Sequence, residues 1–250
     1  MMPLDDRGLL LGDGLFETLL VKKGEIILLE AHVARLQSGC MALGLPAPDL
    51  EDVRQLCSSI LSDADRTIDR LALRLTLTAG SGGRGLDRPA DPEPHIFASV
   101  APAPRPEGPA DLSTSDIRRN EGTPTSRLKT LSYIDNVLAR QRAAPAEALM
   151  LNNAGEIVCA AAANIFWVQD GRLFTPELGC GALDGVMRRQ VMAIEPADEV
   201  RAPRAMLERV QAIFLTNSLI GVRRVASLDG APMGDHRLLA RLTERLAAVS

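Results

Sequence analysis

The spacing of apolar residues predicts alternating strands and helices in the first hundred residues. Leucine alternates with other residues over positions 71–77, and this period of two predicts a half-buried strand. Apolar residues at steps of three and four predict one helix from Glu30 to Leu43 and a second from Asp49 to Ser62. The stretches 9–21 and 95–100 predict further strands. Together these elements predict an α/β domain in which a mixed sheet carries both helices on one face.

A proline-rich segment at residues 101–109 interrupts this pattern. It holds four prolines, and proline at this density gives an extended, stiff connector. We therefore place a domain boundary there, with one domain at residues 1–104 and a second at residues 105–250. Two hairpins are predicted in the second domain, at residues 148–159 and 165–174. Its other predicted elements are a strand at 111–117, a buried strand at 213–215, a helix from about Val186 and a helix from Leu238 to Ala248.

A single lysine lies in a helix-like stretch from Ser126 to Arg140. Large apolar residues recur there at steps of three and four, which predicts one apolar helix face. These residues are Leu128, Leu131, Ile134 and Leu138. Lys129 falls off that face in the first turn, where the helix dipole gives a cation no advantage. One interpretation is a solvated surface lysine, and the other is an amine kept neutral by its surroundings, which can form a Schiff base.

The composition argues against several classes of protein. The net charge of −4 and the 3% of aromatic residues indicate neither a nucleic-acid partner nor an anionic-membrane partner. No apolar run reaches membrane-span length, and the N-terminus lacks the shape of a signal peptide. The four cysteines are widely separated and the three histidines are dispersed. This pattern predicts reduced thiols in a cytoplasmic protein, without a metal site.

Seven short motifs follow one another along the chain. They are Gly12-Asp-Gly-Leu-Phe-Glu-Thr18, His32-Val-Ala-Arg-Leu36, Gly80-Ser-Gly-Gly-Arg-Gly85, Leu128-Lys-Thr-Leu-Ser-Tyr-Ile-Asp-Asn-Val137, Asn164-Ile-Phe-Trp167, Ala182-Leu-Asp-Gly-Val-Met-Arg188 and Leu215-Thr-Asn-Ser218. Their order resembles the class IV aminotransferases, the fold type IV enzymes that use pyridoxal 5′-phosphate (PLP). The resemblance covers nearly the whole chain. Within the group it is greatest to the 4-amino-4-deoxychorismate lyases, while D-amino-acid and branched-chain aminotransferases share the frame.

The resemblance implies a two-domain, PLP-binding fold with an N-terminal α/β sandwich and a C-terminal, barrel-like β domain with flanking helices. It also implies a homodimer that acts on a small-molecule amine or amino acid. The expected reaction is the lyase reaction that converts 4-amino-4-deoxychorismate to 4-aminobenzoate and pyruvate for folate synthesis. The alternatives are transamination of D-amino or branched-chain amino acids, and a protein of this fold that has lost catalysis. Relatives usually have a short strand before the segment that matches residues 3–7, so we expect either residues missing before it or a first sheet without that edge strand.

The matching motifs carry expected roles for individual residues. Lys129 matches the lysine that forms the Schiff base with PLP and shuttles the proton, and Arg35 matches the arginine that binds the PLP phosphate. Phe16 and Arg84 are expected to contact the substrate, Arg84 at a carboxylate. The other expected cofactor contacts are Asn164, the turn of Gly185, Val186 and Met187, the hydroxyl of Ser218 and the N–H of Leu219.

Cys159 departs from the family pattern. Five residues before the position of Asn164, the family usually has a glutamate that hydrogen-bonds the pyridine nitrogen of PLP, and here that position holds Cys159. Glu156 is three residues away, so on a regular strand its side chain points to the opposite face. A thiol is not a matched counter-ion for a protonated ring nitrogen. The PLP ring is then a weaker acceptor for the negative charge that develops on the substrate. Cys159 therefore favours the lyase, whose aromatic product can drive the elimination, and it is also the basis of the lost-catalysis alternative.

Overall fold

The computed structural model describes residues 3–65 and 67–247, which belong to two units. The first unit is Met1–Pro104 together with Leu128–Ser132, and the second is Arg105–Arg127 together with Tyr133–Ser250. The segment Leu128–Ser132 thus belongs to the first unit although it follows the proline-rich linker along the chain. No helix within the described residues is long and apolar enough to cross a membrane.

The first unit contains a four-stranded antiparallel sheet. Its elements are α1 (Arg7–Leu11), β1 (Gly14–Lys22), β2 (Glu25–Ile26), α2 (Leu29–Leu43), α3 (Leu50–Ser62), β3 (Arg70–Thr78) and β4 (His95–Pro102). The strand order is β2-β1-β3-β4, and each pairing is antiparallel. The predicted helices and strands of this region are present, but residues 9–11, predicted to lead into a strand, lie in the short helix α1.

Local signals in the sequence set the ends of the two longer helices. Gly44 ends α2 in the left-handed conformation, at φ 66°, which glycine adopts without a steric penalty. The Asp49 side chain accepts a hydrogen bond from the Glu51 N–H and caps α3. The alternating leucines of β3 join α2 and α3 in one apolar core. Burial of each such side chain contributes ~1.5–3 kcal/mol.

The second unit contains a nine-stranded mixed sheet. Its elements are β5 (Ala110–Arg119), α4 (Ile134–Ala143), β6 (Glu147–Asn152), β7 (Ile157–Ala160), β8 (Asn164–Gln169), β9 (Arg172–Pro176), α5 (Val186–Ile194), β10 (Ala197–Val200), β11 (Ala212–Asn217), β12 (Gly221–Leu228), β13 (Ala231–Pro232) and α6 (Arg237–Ala247). The strand order is β10-β9-β8-β11-β12-β5-β6-β7, with β13 beside β12. Both predicted hairpins are present, as β6–β7 and β8–β9. The predicted C-terminal helix is present, although its last predicted residue, Ala248, lies outside the described residues.

The sheet of the second unit curls until its two ends meet. At the start of β7, the Ile157 N–H donates to the Ala202 carbonyl oxygen, just beyond β10, at 2.8 Å. Glu156 forms an isolated bridge with Pro203 at the same place. Apolar side chains from β5 to β8 and from β11 and β12, Trp167 of β8 among them, form one core. These contacts give the barrel-like domain that the family resemblance implies.

The predicted helix from Ser126 to Arg140 is wrong over its first half. Pro124–Arg127 forms a single 3-10 turn and α4 begins only at Ile134. Between them the chain is extended: the Phe16 N–H donates to the Lys129 carbonyl oxygen at 2.9 Å, and the Leu131 N–H donates to the Gly14 carbonyl oxygen at 3.0 Å. Since β2 pairs only with Val21 and Lys22 of β1, the start of β1 has an open edge that these bonds fill.

The predicted apolar face of this helix is also wrong. The buried residues of α4 are Asn136 and Ala139, whereas Ile134, Val137 and Leu138 are exposed. The Nδ2 of Asn136 donates to the Ala161 carbonyl oxygen at 2.7 Å. A small residue and a satisfied amide thus face the sheet, because α4 packs closely against it.

Candidate active site

Lys129 lies against an aromatic ring of the first sheet. Its Nζ is 4.0 Å from the centroid of the Phe16 ring. The guanidinium carbon of Arg74 is 3.9 Å from the same centroid, and burial lowers the pKa of Arg74. The face of an aromatic ring attracts a cation, while neighbouring cations disfavour each other's charged form. The structure therefore brings together two of the predicted site residues, Lys129 and Phe16.

Arg35 is held by a buried carboxylate. The Glu17 side chain is 1% exposed and accepts hydrogen bonds from Arg35 Nε at 2.7 Å and from Arg35 Nη2 at 2.6 Å. The Nδ1 of His32 lies 2.7 Å from Glu17 Oε2. His32 and Arg35 are three residues apart on α2, so both reach the same side of that helix. A two-point arginine–carboxylate pair fixes the orientation of the guanidinium as well as its position.

Burial and hydrogen bonding set the protonation states of this cluster. Burial raises the pKa of Glu17, but the hydrogen bonds and charges of Arg35 and His32 outweigh this and hold the pKa at about 2. Burial lowers the pKa of His32, against the opposing effect of Glu17, and the charges of Arg35 and Lys129 lower it further. At neutral pH Glu17 is therefore ionised and His32 is neutral, so that its Nδ1–H donates to the carboxylate.

Arg84 lies on a glycine-rich loop that a second arginine holds in place. The buried guanidinium of Arg7 donates to backbone oxygens of this loop, among them that of Asp87 at 2.9 Å. Arg7 also pairs with Asp13 at 3.0 Å. Arg84 itself is exposed. Arg7 thus holds the loop that carries Arg84.

A close approach explains the glycine at the start of α5. A Cβ at Gly185 would lie 2.0 Å from Oδ1 of Asn164. The Nδ2 of Asn164 donates to the Leu183 carbonyl oxygen at 2.8 Å, which fixes the amide. Gly185 is the N-cap of α5, and in the part of the chain that the structure describes no side-chain hydrogen bond caps this helix. The N–H groups of its first turn, which contains Val186 and Met187, therefore have no side-chain partner there and suit a phosphate.

Ser218 and Leu219 lie in the turn between β11 and β12. The Oδ1 of Asn217 accepts a hydrogen bond from the Leu219 N–H at 2.9 Å. The expected phosphate donor of Leu219 is thus already engaged within the turn. Thr216 is paired with Asn164 across β11 and β8, so this turn follows directly from the strand that lies beside Asn164. The structure places Asn164, Gly185 and the Ser218 turn in one region of the second unit.

Cys159 is buried in an apolar cluster of the second unit. Burial raises the pKa of its thiol, and the charge of Arg119 opposes this rise. The thiol is therefore neutral at neutral pH. Glu156 does not supply a carboxylate in its place, since its side chain accepts from Asn152 at 2.7 Å and pairs with Arg201 at 3.1 Å.

Sequence reasoning did not identify the roles of Glu17 and His32. The signal for Glu17 was present, because it is a charged residue in β1, a strand that is buried along most of its length. A charge in such a strand needs a partner. The signal for His32 was its position three residues before Arg35, on the same side of one helix.

The chain belongs to the amino-transferase class IV family, which matches residues 14–228. The aminodeoxychorismate lyase of Vibrio harveyi is 28% identical over 262 residues, which cover 98% of this chain and 94% of that protein. The structure of 4-amino-4-deoxychorismate lyase from Pseudomonas aeruginosa is 32% identical, with a TM-score of 0.88, and the match covers 99% of this chain and 95% of that one. A hypothetical aminotransferase from Mycobacterium tuberculosis, in a PLP-bound form, is 25% identical with a TM-score of 0.86, over 100% of this chain and 93% of that one. The predicted family and fold class are confirmed.

Proposed function

We propose that this protein is a PLP-dependent lyase that converts 4-amino-4-deoxychorismate to 4-aminobenzoate and pyruvate in folate biosynthesis. Members of the class IV family are PLP-dependent enzymes, so the predictions of an enzyme and of PLP are confirmed at the level of the family. The relatives from Vibrio harveyi and Pseudomonas aeruginosa support the lyase reaction. The observation that carries the choice of a lyase is the buried, neutral Cys159 thiol, which stands where the family usually has a glutamate.

The chain offers suitable groups for the phosphate of PLP. A phosphate dianion is bound well by an arginine and by uncapped helix N–H groups. Within the first unit, Arg35 is the proposed phosphate ligand. Within the second unit, the proposed phosphate ligands are the Gly185 turn with Val186 and Met187, and the Ser218 hydroxyl. Asn164 holds the Gly185 turn through the Leu183 carbonyl oxygen. Leu219, whose N–H donates to Asn217 Oδ1, is also proposed to contact the cofactor.

Lys129 supplies the reactive amine. When bound, PLP supplies an electron sink for the charge that develops at the amine-bearing carbon of the substrate. The Nζ of Lys129 removes the proton from that carbon and returns it to the enolpyruvyl group, which leaves as pyruvate while the ring becomes aromatic. The neutral state of His32 helps Lys129 in this role, because a protonated His32 would add a positive charge nearby.

Phe16 and Arg84 are assigned to the substrate. The ring of Phe16 lies against the Lys129 amine, so a substrate that reacts there meets the ring. The substrate carries two carboxylates, and a guanidinium binds a carboxylate through two parallel hydrogen bonds. Arg84 is exposed on an ordered loop, which leaves its side chain accessible to such a group.

Incubation with 4-amino-4-deoxychorismate tests the proposal. We expect PLP-loaded protein to release 4-aminobenzoate and pyruvate in equal amounts, and a Lys129→Ala variant to release neither. Borohydride reduction and peptide mapping should place the pyridoxyl group on Lys129. A label on Lys22 or Lys23 would refute the role of Lys129, whereas a label on Lys129 without either product would refute the lyase reaction alone.

Transamination is the second candidate function. The PLP-bound relative described as a hypothetical aminotransferase favours it. D-alanine and leucine represent the two expected classes of amino donor. Rapid formation of the keto acid by the wild-type protein would favour transamination over the lyase reaction. A labelled Lys129 with neither activity would favour the lost-catalysis alternative.

We further propose a cytoplasmic homodimer. On α4, Ile134 is 64% exposed, Val137 45% and Leu138 37%, and exposed apolar residues on one surface favour a protein partner. The four cysteines are free and buried, as expected in a reducing compartment.

A further inference from the structure

An ionised carboxylate is buried in the first sheet. Glu17 lies on β1, where the two residues before it, Leu15 and Phe16, are buried as well. A lone buried carboxylate loses its hydration at a high free-energy cost, so it requires partners that replace the water. Both of its oxygens are engaged by side chains of α2, those of Arg35 and His32. The Glu17 carboxylate therefore forms a two-point ion pair with Arg35.

We propose that Glu17 is a positioning residue that aims Arg35 at the phosphate of the cofactor, an inference that rests on the proposed function of Arg35. Glu17 holds the Nε and Nη2 of Arg35 at 2.7 and 2.6 Å. This two-point contact fixes the plane of the guanidinium and turns its far edge, at Nη1, away from Glu17. A guanidinium that is already oriented loses less conformational freedom when it binds an anion, and affinity rises as a result.

His32 fixes the carboxylate from a second direction. Its Nδ1 lies 2.7 Å from Glu17 Oε2, the oxygen that also accepts from Arg35 Nη2. Because His32 and Arg35 both belong to α2, the carboxylate of β1 is held between two groups of one rigid helix. Small rotations of Glu17 would break one of these contacts, so the orientation of Arg35 is coupled to the packing of α2 on β1.

The charge of Glu17 and its orienting contact with Arg35 predict opposite changes in phosphate affinity when Glu17 is removed. The negative charge of Glu17 opposes the attraction between Arg35 and a phosphate dianion, so by charge alone its removal would strengthen phosphate binding. By orientation, its removal would weaken phosphate binding, because Arg35 would sample several rotamers. The direction of the change on Glu17→Gln therefore separates the two effects.

The experiment compares PLP with pyridoxal, which lacks the phosphate. Each ligand is titrated into the wild type, Glu17→Gln, Arg35→Ala and the double variant after removal of bound PLP. We expect Glu17→Gln to weaken PLP binding about tenfold or more and to leave pyridoxal binding unchanged. We expect the double variant to bind PLP no more weakly than Arg35→Ala, because Glu17 acts through Arg35.

Asp6→Asn is the matched control. Asp6 is a fully buried carboxylate in the same unit that pairs with His95 at 2.8 Å and accepts from Thr78 at 2.8 Å. Its removal should lower stability without changing the ratio of PLP to pyridoxal affinity. If Glu17→Gln does not fold, Glu17→Asp replaces it, since the shorter side chain keeps the charge but withdraws the carboxylate from Arg35. The same selective loss of PLP affinity is expected.

Five outcomes decide between the positioning role and its alternatives. The expected selective and non-additive loss supports the positioning role. Tighter PLP binding by Glu17→Gln, or equal losses for PLP and pyridoxal, would overturn it and leave the proposed function intact. Additive losses in the double variant would likewise overturn the inference alone. Failure of the wild type to bind PLP would overturn the proposed function, and the inference with it.

Discussion

At the residue scale, the burial of Glu17 and His32 ties the stability of the protein to pH. The pKa of Glu17 is about 2 in the folded protein and 4.5 ordinarily, so the unfolded chain binds more protons between these values. The stabilisation is complete above pH 4.5 and is lost as the pH falls to about 2, an effect of about 3 kcal/mol. The pKa of His32 is lowered from 6.5, so unfolding also becomes easier as the pH falls below 6.5.

Chemical denaturation from about pH 3 to about pH 8 measures this dependence. We expect the free energy of unfolding to rise with pH in the wild type. Below pH 4.5 it should rise less steeply in Glu17→Gln, which removes the shifted carboxylate and leaves the other groups. Identical slopes for the two proteins would contradict the assigned protonation state of Glu17.

Our second prediction at the residue scale is that Cys159 favours the lyase reaction over transamination. The hypothesis is that the neutral thiol leaves the cofactor ring without an anionic partner, which weakens the electron sink that transamination requires. Cys159→Glu should therefore raise the rate of keto-acid formation from D-alanine or leucine. Cys159→Ser, which supplies another neutral group, should not. The site is buried and apolar, so the stability of each variant is measured first. A folded Cys159→Glu variant that binds PLP without any gain would show that this interpretation is wrong.

The motifs predict Lys129, Arg35 and Phe16 as site residues, but the sequence could not supply the contacts that hold Arg35. Glu17 is 15 residues from His32 and 18 from Arg35. Its pairing depends on how α2 packs on β1, which no local pattern encodes. A charged residue in a buried strand indicates only that a partner exists.

At the element scale, the start of α5 gives a prediction about glycine. A Cβ at Gly185 would lie 2.0 Å from Asn164 Oδ1, so Gly185→Ala must move the Asn164 amide or the first turn of the helix. We expect PLP affinity to fall by about 1–3 kcal/mol, the size of a lost charged hydrogen bond. Titration with PLP and a thermal melt measure the change. Gly122→Ala is the control, because its Cβ would meet only Asn120 Oδ1, at 3.3 Å. Unchanged PLP affinity in Gly185→Ala would remove this turn from the phosphate site.

The segment around Lys129 shows why local periodicity can mislead. Apolar residues in the stretch 126–140 have helical spacing, yet Lys129 and Leu131 are bonded to β1 by their backbone. The open edge of β1 supplies those bonds, and it lies more than a hundred residues earlier in the chain. By contrast, α2 and α3 were predicted closely because their apolar repeat and their ends at Gly44 and Asp49 are all local signals.

At the scale of the whole molecule, the position of a segment along the chain does not predict which of the two units it belongs to. The proline-rich linker follows β4, but Leu128–Ser132 returns to the first unit. Similarly, the sheet of the second unit closes through the contact of Ile157 with Ala202, between segments that form no predicted hairpin. The family resemblance implied the barrel-like form, whereas the spacing of apolar residues predicted only its hairpins.

Helix α4 presents the surface on which we expect the homodimer to form. Ile134, Val137 and Leu138 lie on one side of the helix and are exposed, and interfaces between identical subunits bury apolar surface of this kind. Leu138→Lys places a charge in that interface, where it loses hydration without a partner, so the protein should become monomeric at micromolar concentration. Sedimentation velocity measures the change. Gln55→Lys adds the same charge at an exposed position of α3 and should leave the dimer intact. A dimer that survives Leu138→Lys would exclude this face, and a monomeric wild type would exclude the homodimer itself.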